Sequence, residues 1–402
     1  MTKEEYEKLP EKQKKVFKII FSGGYHTARN IRASLGDEDM NVSNLVQSLN
    51  EKDKNVCSRW TRVKNATEFG PRNLRYWVEA FSAFNAKYFH LIHAEKSSLY
   101  NTFYIPKKNS KKMRRIDAPK SELMNALYEL KSLLEALVPA THHQAAYAYV
   151  PGRNCLRAIK RHQRNNSEWF LKTDFSDFFG SVSIVFLRNM LSLIHPINHI
   201  MNDSEGRIQL TRALTLCFLN GGLPQGTPIS PLLTNLMMIP LDYHLSRKLN
   251  AKSFVYTRYA DDILISAKNN FVYKEVVKII NETLMEFKAP FSIKSGKTRY
   301  GSRNGANWNL GVMLNKDNNI TVGHVNKKYF KATVCRFITD HLNGHTWAPE
   351  DAVSLAGTLA YYQSVEKDYF DYVIKHMNNK FSVDVLHALR FAQKIESSYE
   401  SV

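Results

Sequence analysis

Residues 258–265 read Arg258-Tyr259-Ala260-Asp261-Asp262-Ile263-Leu264-Ile265. Tyr259 and the run Ile263 to Ile265 favour a buried strand, whereas Asp is a poor strand former. A strand, a tight turn carrying both acids and a second strand reconcile the two tendencies. Such a turn gathers two negative charges at a sheet edge, and like charges that close raise the pKa of one of them. A hard divalent cation such as Mg²⁺ relieves the repulsion by taking carboxylate oxygens as ligands. Taken alone, most Asp-Asp pairs are solvated turns.

A second acid changes that balance. Asp174 lies 87 positions earlier (261 − 174) and closes the strand-like stretch Trp169-Phe170-Leu171-Lys172-Thr173. If the two strands are neighbours, three carboxylates share one edge, a set suited to two metal ions and in-line phosphoryl transfer. Asp177 in the same segment is expected to meet solvent or to cap a helix. Between the acid-bearing strands lies Gly221-Gly222-Leu223-Pro224-Gln225-Gly226-Thr227-Pro228. Gly222 and Gly226 free the backbone, Pro224 and Pro228 stiffen it, and Gln225 offers a neutral amide at the tip. Ser230-Pro231 opens a helix. A Gly/Pro loop can be a plain connector; its position between the two acids favours one that faces a substrate.

The charge balance points the same way. In 402 residues, 56 Lys and Arg stand against 37 Asp and Glu, a formal net charge of +19. That surplus suits a polyanionic partner, nucleic acid first and an anionic membrane surface second. No apolar run approaches the roughly 18–20 residues of a membrane span, and the N-terminus lacks the apolar core of a signal peptide. The expectation is a cytoplasmic protein without a membrane partner. Four cysteines without CxxC spacing read as reduced thiols, and the histidines show no zinc-binding grouping.

Along the chain, residues 1–70 carry helical periodicity in three short stretches, which fits a winged-helix-like module or a helical cap on the body. Residues 71–100 read as helix, 101–119 as a basic hairpin, and 121–138 as an amphipathic helix. Strands then alternate with helices, which indicates an α+β class. From about residue 322 the chain turns helical and basic, with Lys327, Lys328, Lys331 and Arg336 close together in sequence. These suit a nucleic-acid backbone or a solvated face. Tyr361, Tyr362, Tyr369 and Phe370 recur at helical spacing and read as core.

Several of these segments resemble, in order, the motifs of bacterial reverse transcriptases of the retron and group II intron kind. Phe170-Leu171-Lys172-Thr173-Asp174-Phe175-Ser176-Asp177-Phe178-Phe179 resembles the first catalytic motif, Gly222 to Asn235 the second, and Tyr259 to Asp262 the third. The stretch Arg157 to His162 departs from the retron pattern, as does Asn309-Leu310-Gly311, and the resemblance is most to the defence-associated (abortive-infection, antiphage) members. It spans roughly residues 100–345. It implies a right-hand polymerase: a helical N-terminal module over 1–70, fingers and an antiparallel palm over 71–320, and a helical basic thumb and C-terminal region over 321–402.

The resemblance also implies site residues. Asp174, Asp261 and Asp262 would hold Mg²⁺, with Mn²⁺ as a substitute, assisted by the Phe175 carbonyl. Phe179 would be the steric gate against a ribonucleotide 2′-hydroxyl. Gln225 and Gly226 would contact nucleotide and template, and Arg114 and Lys107 the triphosphate. Arg153 would lie near the template strand. Lys297 would donate a proton to pyrophosphate, or else make only a phosphate contact.

The implied activity is RNA-directed DNA synthesis from dNTPs on a primer 3′-hydroxyl, copying a structured non-coding RNA in antiphage defence. A homo-oligomer and a defence effector protein are further implied partners. Template-independent or protein-primed synthesis by the same site, and an inert RNA-binding scaffold, are the alternatives.

Overall fold

In a computed structural model, residues 7–21, 45, 49, 69–106, 113–303 and 311–393 are described. Lys107, the hairpin turn around it and most of the N-terminal module lie outside the described residues. The expected helix near the N-terminus is present as Glu11–Phe21. The remainder forms two compact units that interleave along the chain. One comprises Met1–Tyr149, Phe175–Lys248 and Lys278–Ile293; the other comprises Val150–Asp174, Leu249–Val277 and Lys294–Val402. The chain thus passes from one unit to the other between Asp174 and Phe175. The mixture of helices with antiparallel sheets is the expected α+β class.

In the first unit, helix Pro71–Lys87 starts with Pro at its first turn, where a missing N–H costs nothing. It buries Trp77, Phe81 and Phe84, and Asn85 Nδ2 donates to the Gln209 carbonyl at 2.8 Å. Helix Ser121–Leu137 buries Leu123, Leu127, Leu130, Leu134 and Leu137. That alternating spacing of four and three is the stripe a helix needs to face a core. The basic hairpin is present as antiparallel strands β1, Tyr100–Pro106, and β2, Met113–Pro119. Its outer residues stay exposed, while Asp117 is buried and accepts from Thr102 Oγ1 and Arg115 Nε.

The second unit is built on a four-stranded antiparallel sheet of β3, Trp169–Asp174; β4, Val255–Tyr259; β5, Asp262–Ala267; and β6, Arg299–Ser302. The spatial order is β4-β5-β3-β6. Strand β5 is interior and covered on both faces, so Ile263 to Ala267 are all buried and the apolar run shows no alternation. Helix Cys155–Arg164, capped by the Asn154 side chain on Arg157 N, buries Ile159 and His162. Ile159 packs with Phe170, Leu264, Val312 and Leu314. Strands β7, Met313–Leu314, and β8, Ile320–Thr321, pair antiparallel.

Helices Gly323–Leu342, Pro349–Phe381 and Val385–Ala392 follow. They close a core around Phe330, Phe337 and Phe370, with Tyr362 and Tyr369 packed on it. The long helix breaks at Glu366 (φ −139°, ψ 67°). The Glu366 carboxylate there accepts from Thr321 Oγ1, Val322 N and Lys327 Nζ.

Candidate active site

The acids of β3 and β5 meet because the strands do. In the register of the two, Asp174 stands opposite Asp262. Tyr259 pairs with Asp262 across β4 and β5, so Ala260 and Asp261 form a two-residue hairpin loop. Ala260 carries φ +57° and Asp261 does not share the positive sign. Positive φ at the first loop residue alone is the pattern of a II′ turn, whose twist suits a tight antiparallel hairpin. Arg258 supports this costly turn. Its side chain is buried at 1% exposure, and Nη1 donates to the Ala260 carbonyl at 3.0 Å.

Asp174 is buried at 4% exposure. Its Oδ2 accepts from Lys297 Nζ, while its Oδ1 is buried without a hydrogen-bond partner among the described residues. A backbone bond brings Lys297 there: Lys294 N donates to the Asp174 carbonyl at 2.8 Å, and the short 3₁₀ turn Ser295–Lys297 follows. The hydrogen bond to Asp174 raises the Lys297 pKa and holds the amine protonated. Burial raises the Asp261 pKa, and the charges of Asp174 and Asp262 raise it further; Lys297 opposes the shift. Lys172 Nζ lies 3.3 Å from Asp262 Oδ1.

These features fit a bound cation. A buried carboxylate oxygen without a partner is costly, and a positive charge near it would also relieve the repulsion felt by Asp261. Among the described residues no three His, Cys, Asp or Glu side chains are gathered closely enough to hold a metal ion between them. Mg²⁺ commonly takes only one or two carboxylates and fills its octahedron with water and substrate phosphate. The facing pair Asp174 and Asp262 supplies that number of carboxylates.

In the first unit, β2, the turn after Phe175 and the Gly/Pro loop line a concavity of about 260 Å³. Arg114, Arg115, Asp177, Gly180, Pro224 and Gln225 are among its walls. Backbone bonds tie the three segments: Leu223 N donates to the Phe179 carbonyl at 3.0 Å, and Asp117 N to the Gln225 carbonyl at 2.8 Å. Gly222 rests against the Gly180 backbone, leaving no room for a Cβ. Gly226 has φ +116°, and a Cβ there would lie 2.9 Å from Ile116 Cγ2. Arg115 is neutralised by Asp117 at 2.9 Å, whereas Arg114 has no ion-pair or hydrogen-bond partner among the described residues. The Phe179 ring stands edge-on to Phe178, with centroids 5.7 Å apart.

The remaining expected residues divide. Phe175 is buried in an aromatic cluster with Phe178 and Phe291. Its bridge to Ile293 is flanked by Ser176 N to Ser292 O and Lys294 N to Asp174 O, which leaves the Phe175 carbonyl outside the pairing. Arg153 is half-buried in the turn before Cys155. Lys328 is exposed, but Lys327 is turned inward, 2.6 Å from Glu366 and 4.1 Å from the centre of the Tyr369 ring. Lys331 Nζ lies 5.5 Å from that ring, and Arg336 pairs with Asp340 at 3.6 Å. Asp177 does not cap the next helix; Ser183 does, accepting from Phe186 N.

Sequence reasoning passed over Lys172 and Arg258, and did not foresee Asp177 in the wall of the concavity. Period two along β3 puts Lys172 on the same face as Asp174 and is the signal that would have found it. Arg258 carried no such signal, since an Arg before an aromatic reads as surface.

The sequence profile of the family described as "Reverse transcriptase (RNA-dependent DNA polymerase)" matches residues 105–330. The chain belongs to the reverse transcriptase family. This reverse transcriptase is 27% identical to the Retron Ec73 reverse transcriptase of Escherichia coli over 71% of this chain and 88% of that one. It is 25% identical to the Retron Ec83 reverse transcriptase of the same organism over 75% of this chain and 92% of that one. Among solved structures, telomerase from Candida albicans with a telomeric RNA fragment superposes with a TM-score of 0.40 at 14% identity, covering 79% of this chain and 64% of that one. Family membership makes the chain an RNA-directed DNA polymerase. No helix among the described residues is long and apolar enough to cross a membrane.

Proposed function

We propose that this reverse transcriptase adds dNTPs to a primer 3′-hydroxyl with two Mg²⁺ ions, Mn²⁺ serving in their place. The observation that carries the reading is the pairing of Asp174 with Asp262 beside the Asp261 loop, with a buried Asp174 oxygen left without a partner among the described residues. Asp174, Asp261 and Asp262 would hold the ions. When bound, such ions lower the pKa of an attacking hydroxyl and neutralise the triphosphate and its pyrophosphate leaving group. Arg114 and Lys107 bind phosphate oxygens, and the Arg fork suits two of them at once. Gln225 orients the nucleotide, the Phe179 ring excludes a 2′-hydroxyl, and Gly226 permits close backbone approach. Lys297 holds a proton at Nζ for the departing pyrophosphate. Lys328 and Arg153 contact the nucleic-acid backbone.

The template we propose is a structured non-coding RNA, supported by retron reverse transcriptases matched over most of their length. An antiphage role rests on the resemblance to defence-associated members. Double substitution Asp261→Ala, Asp262→Ala tests the chemistry: dNTP incorporation on a primed RNA template should fall to background, and persisting synthesis would overturn the assignment. Loss of phage protection in cells carrying the same variant tests the biological role.

A further inference from the structure

Outside the polymerase residues, the first unit holds a second concavity, of about 440 Å³. Its walls come from helix Phe89–His93, helix Ile184–Leu191, and helix Ser204–Leu214 with the turn after it. Three guanidinium groups line it, those of Arg188, Arg207 and Arg212, with Thr211, His93 and the exposed Ile208. None of the three arginines forms an ion pair or side-chain hydrogen bond with a described residue, and no carboxylate of a described residue lines the cavity. Elsewhere in this chain the basic side chains near acids are paired: Lys87 with Glu129, Arg115 with Asp117, Lys248 with Glu286.

A second observation points into the same space. Arg188 Nε and Thr211 Oγ1 are both buried, and neither has a hydrogen-bond partner among the described residues. A buried donor left unmade costs about 1–3 kcal/mol, and such groups in native structures usually meet a water or an ion. Two of them in one cavity, beside three guanidinium groups without a described acidic partner, describe a site suited to an anion. The planar Arg fork matches phosphate oxygens, and the apolar Ile208 beside it gives a nucleoside surface to rest on.

We propose that this cavity binds the phosphodiester backbone of a single-stranded RNA segment, apart from the nucleotide and carboxylate sites. The choice of RNA over a free nucleotide rests on the reverse transcriptase reading; the anionic chemistry does not. With three phosphate contacts, the slope of log affinity against log salt carries a contribution of about 2 from this site, at about 0.7 per contact for a single strand.

The test is fluorescence anisotropy of labelled oligo(A) RNA with the full chain and with Arg188→Gln, Arg207→Gln, Arg212→Gln combined. Between about 50 and about 200 mM salt, the wild type should lose about 20-fold more affinity than the variant. A control removes the same charge at exposed Lys375, Lys380 and Arg390 and should leave the slope unchanged. Because Arg188 is partly buried, the exposed pair Arg207→Gln, Arg212→Gln serves as a second variant, with a slope reduced by about 1.4. Equal slopes for wild type and both variants overturn the proposal, as does an equal fall in the control. Competition by inorganic phosphate or an acidic peptide as effective as unlabelled RNA, per charge, would assign the cavity to another ligand and overturn it too. The readout is RNA affinity, so failure here leaves the Asp261 and Asp262 synthesis test untouched.

Discussion

His162 offers a sharp test of how the catalytic hairpin is held. Its ring has no exposed surface and bridges side chains of β4 and β5. Nδ1 lies 2.6 Å from Ser266 Oγ and Nε2 lies 2.8 Å from Thr257 Oγ1. Ser266 Oγ donates onward to Ser167 Oγ at 2.7 Å. That direction makes Ser266 the acceptor from His162 Nδ1–H and Thr257 the donor to Nε2, so a neutral ring satisfies the whole chain of bonds. Burial pushes the imidazole down to about 3, and the charge of Arg161 adds to the effect. Because the folded pKa lies below the unfolded one, this stability is complete above about pH 6.5 and is lost as pH falls toward 3. Between about pH 7.5 and about pH 5.0 the unfolded chain gains most of a proton that the fold refuses. At about 1.36 kcal/mol per pH unit, the loss from His162 is about 2 kcal/mol. His162→Gln keeps a donor and an acceptor and removes the titration. Urea unfolding at both pH values should show the variant less stable by about 1–3 kcal/mol at the higher pH, yet losing about 2 kcal/mol less on acidification. The two proteins differ at this one side chain, so every other contribution cancels in the difference. Equal losses in wild type and variant would mean that His162 charges inside the fold, and the argument would be wrong.

Four further outcomes follow from the geometry. Gly226→Ala places a Cβ 3.0 Å from the Asp117 carbonyl at φ +116°; about 1–3 kcal/mol of strain in the loop should raise KM for dNTPs, measured by steady-state incorporation. Phe179→Ala should raise the ratio of NTP to dNTP incorporation by about tenfold or more; an unchanged ratio removes the gate role. Lys327→Met leaves the Glu366 carboxylate, 18% exposed, without its cation, so the Tm should fall by about 5 °C. RNA affinity should instead respond to Lys328→Gln, and the reverse pattern would show that Lys327 faces nucleic acid. Lys297→Ala should slow incorporation, and Lys297→Arg should restore part of the rate only if a phosphate contact, rather than proton donation, is its main role.

Much of the site was legible because strand periodicity and charge are local signals. An Asp at the end of an apolar strand, an Asp-Asp turn in another and a Gly/Pro loop between them are visible without coordinates. The thumb-like lysines were less legible. Lys327 and Lys328 are adjacent and look alike in sequence, yet one is bonded to Glu366 and the other is exposed. The difference comes from a helix break 39 residues further on (366 − 327), at a Glu that local pattern reads as a surface residue. Of the two expectations for Asp177, solvent contact holds and the helix cap does not: Asp177 is exposed, and Ser183 is the N-cap of the next helix.

By itself, the sequence determined that two acid-bearing strands exist, that a flexible-stiff loop separates them, and that the chain carries enough positive charge for nucleic acid. Each follows from residue type and spacing alone. Tertiary structure decided the rest. The β3–β5 register places Asp174 opposite Asp262, and a slip of one residue would turn one acid to the other face. The fold also buried Arg258 under the turn, aimed Lys297 at Asp174, and gathered Arg188, Arg207 and Arg212 around one cavity. Those placements depend on contacts between distant segments, and the physics of burial and charge acts on distances in space that spacing along the chain does not encode.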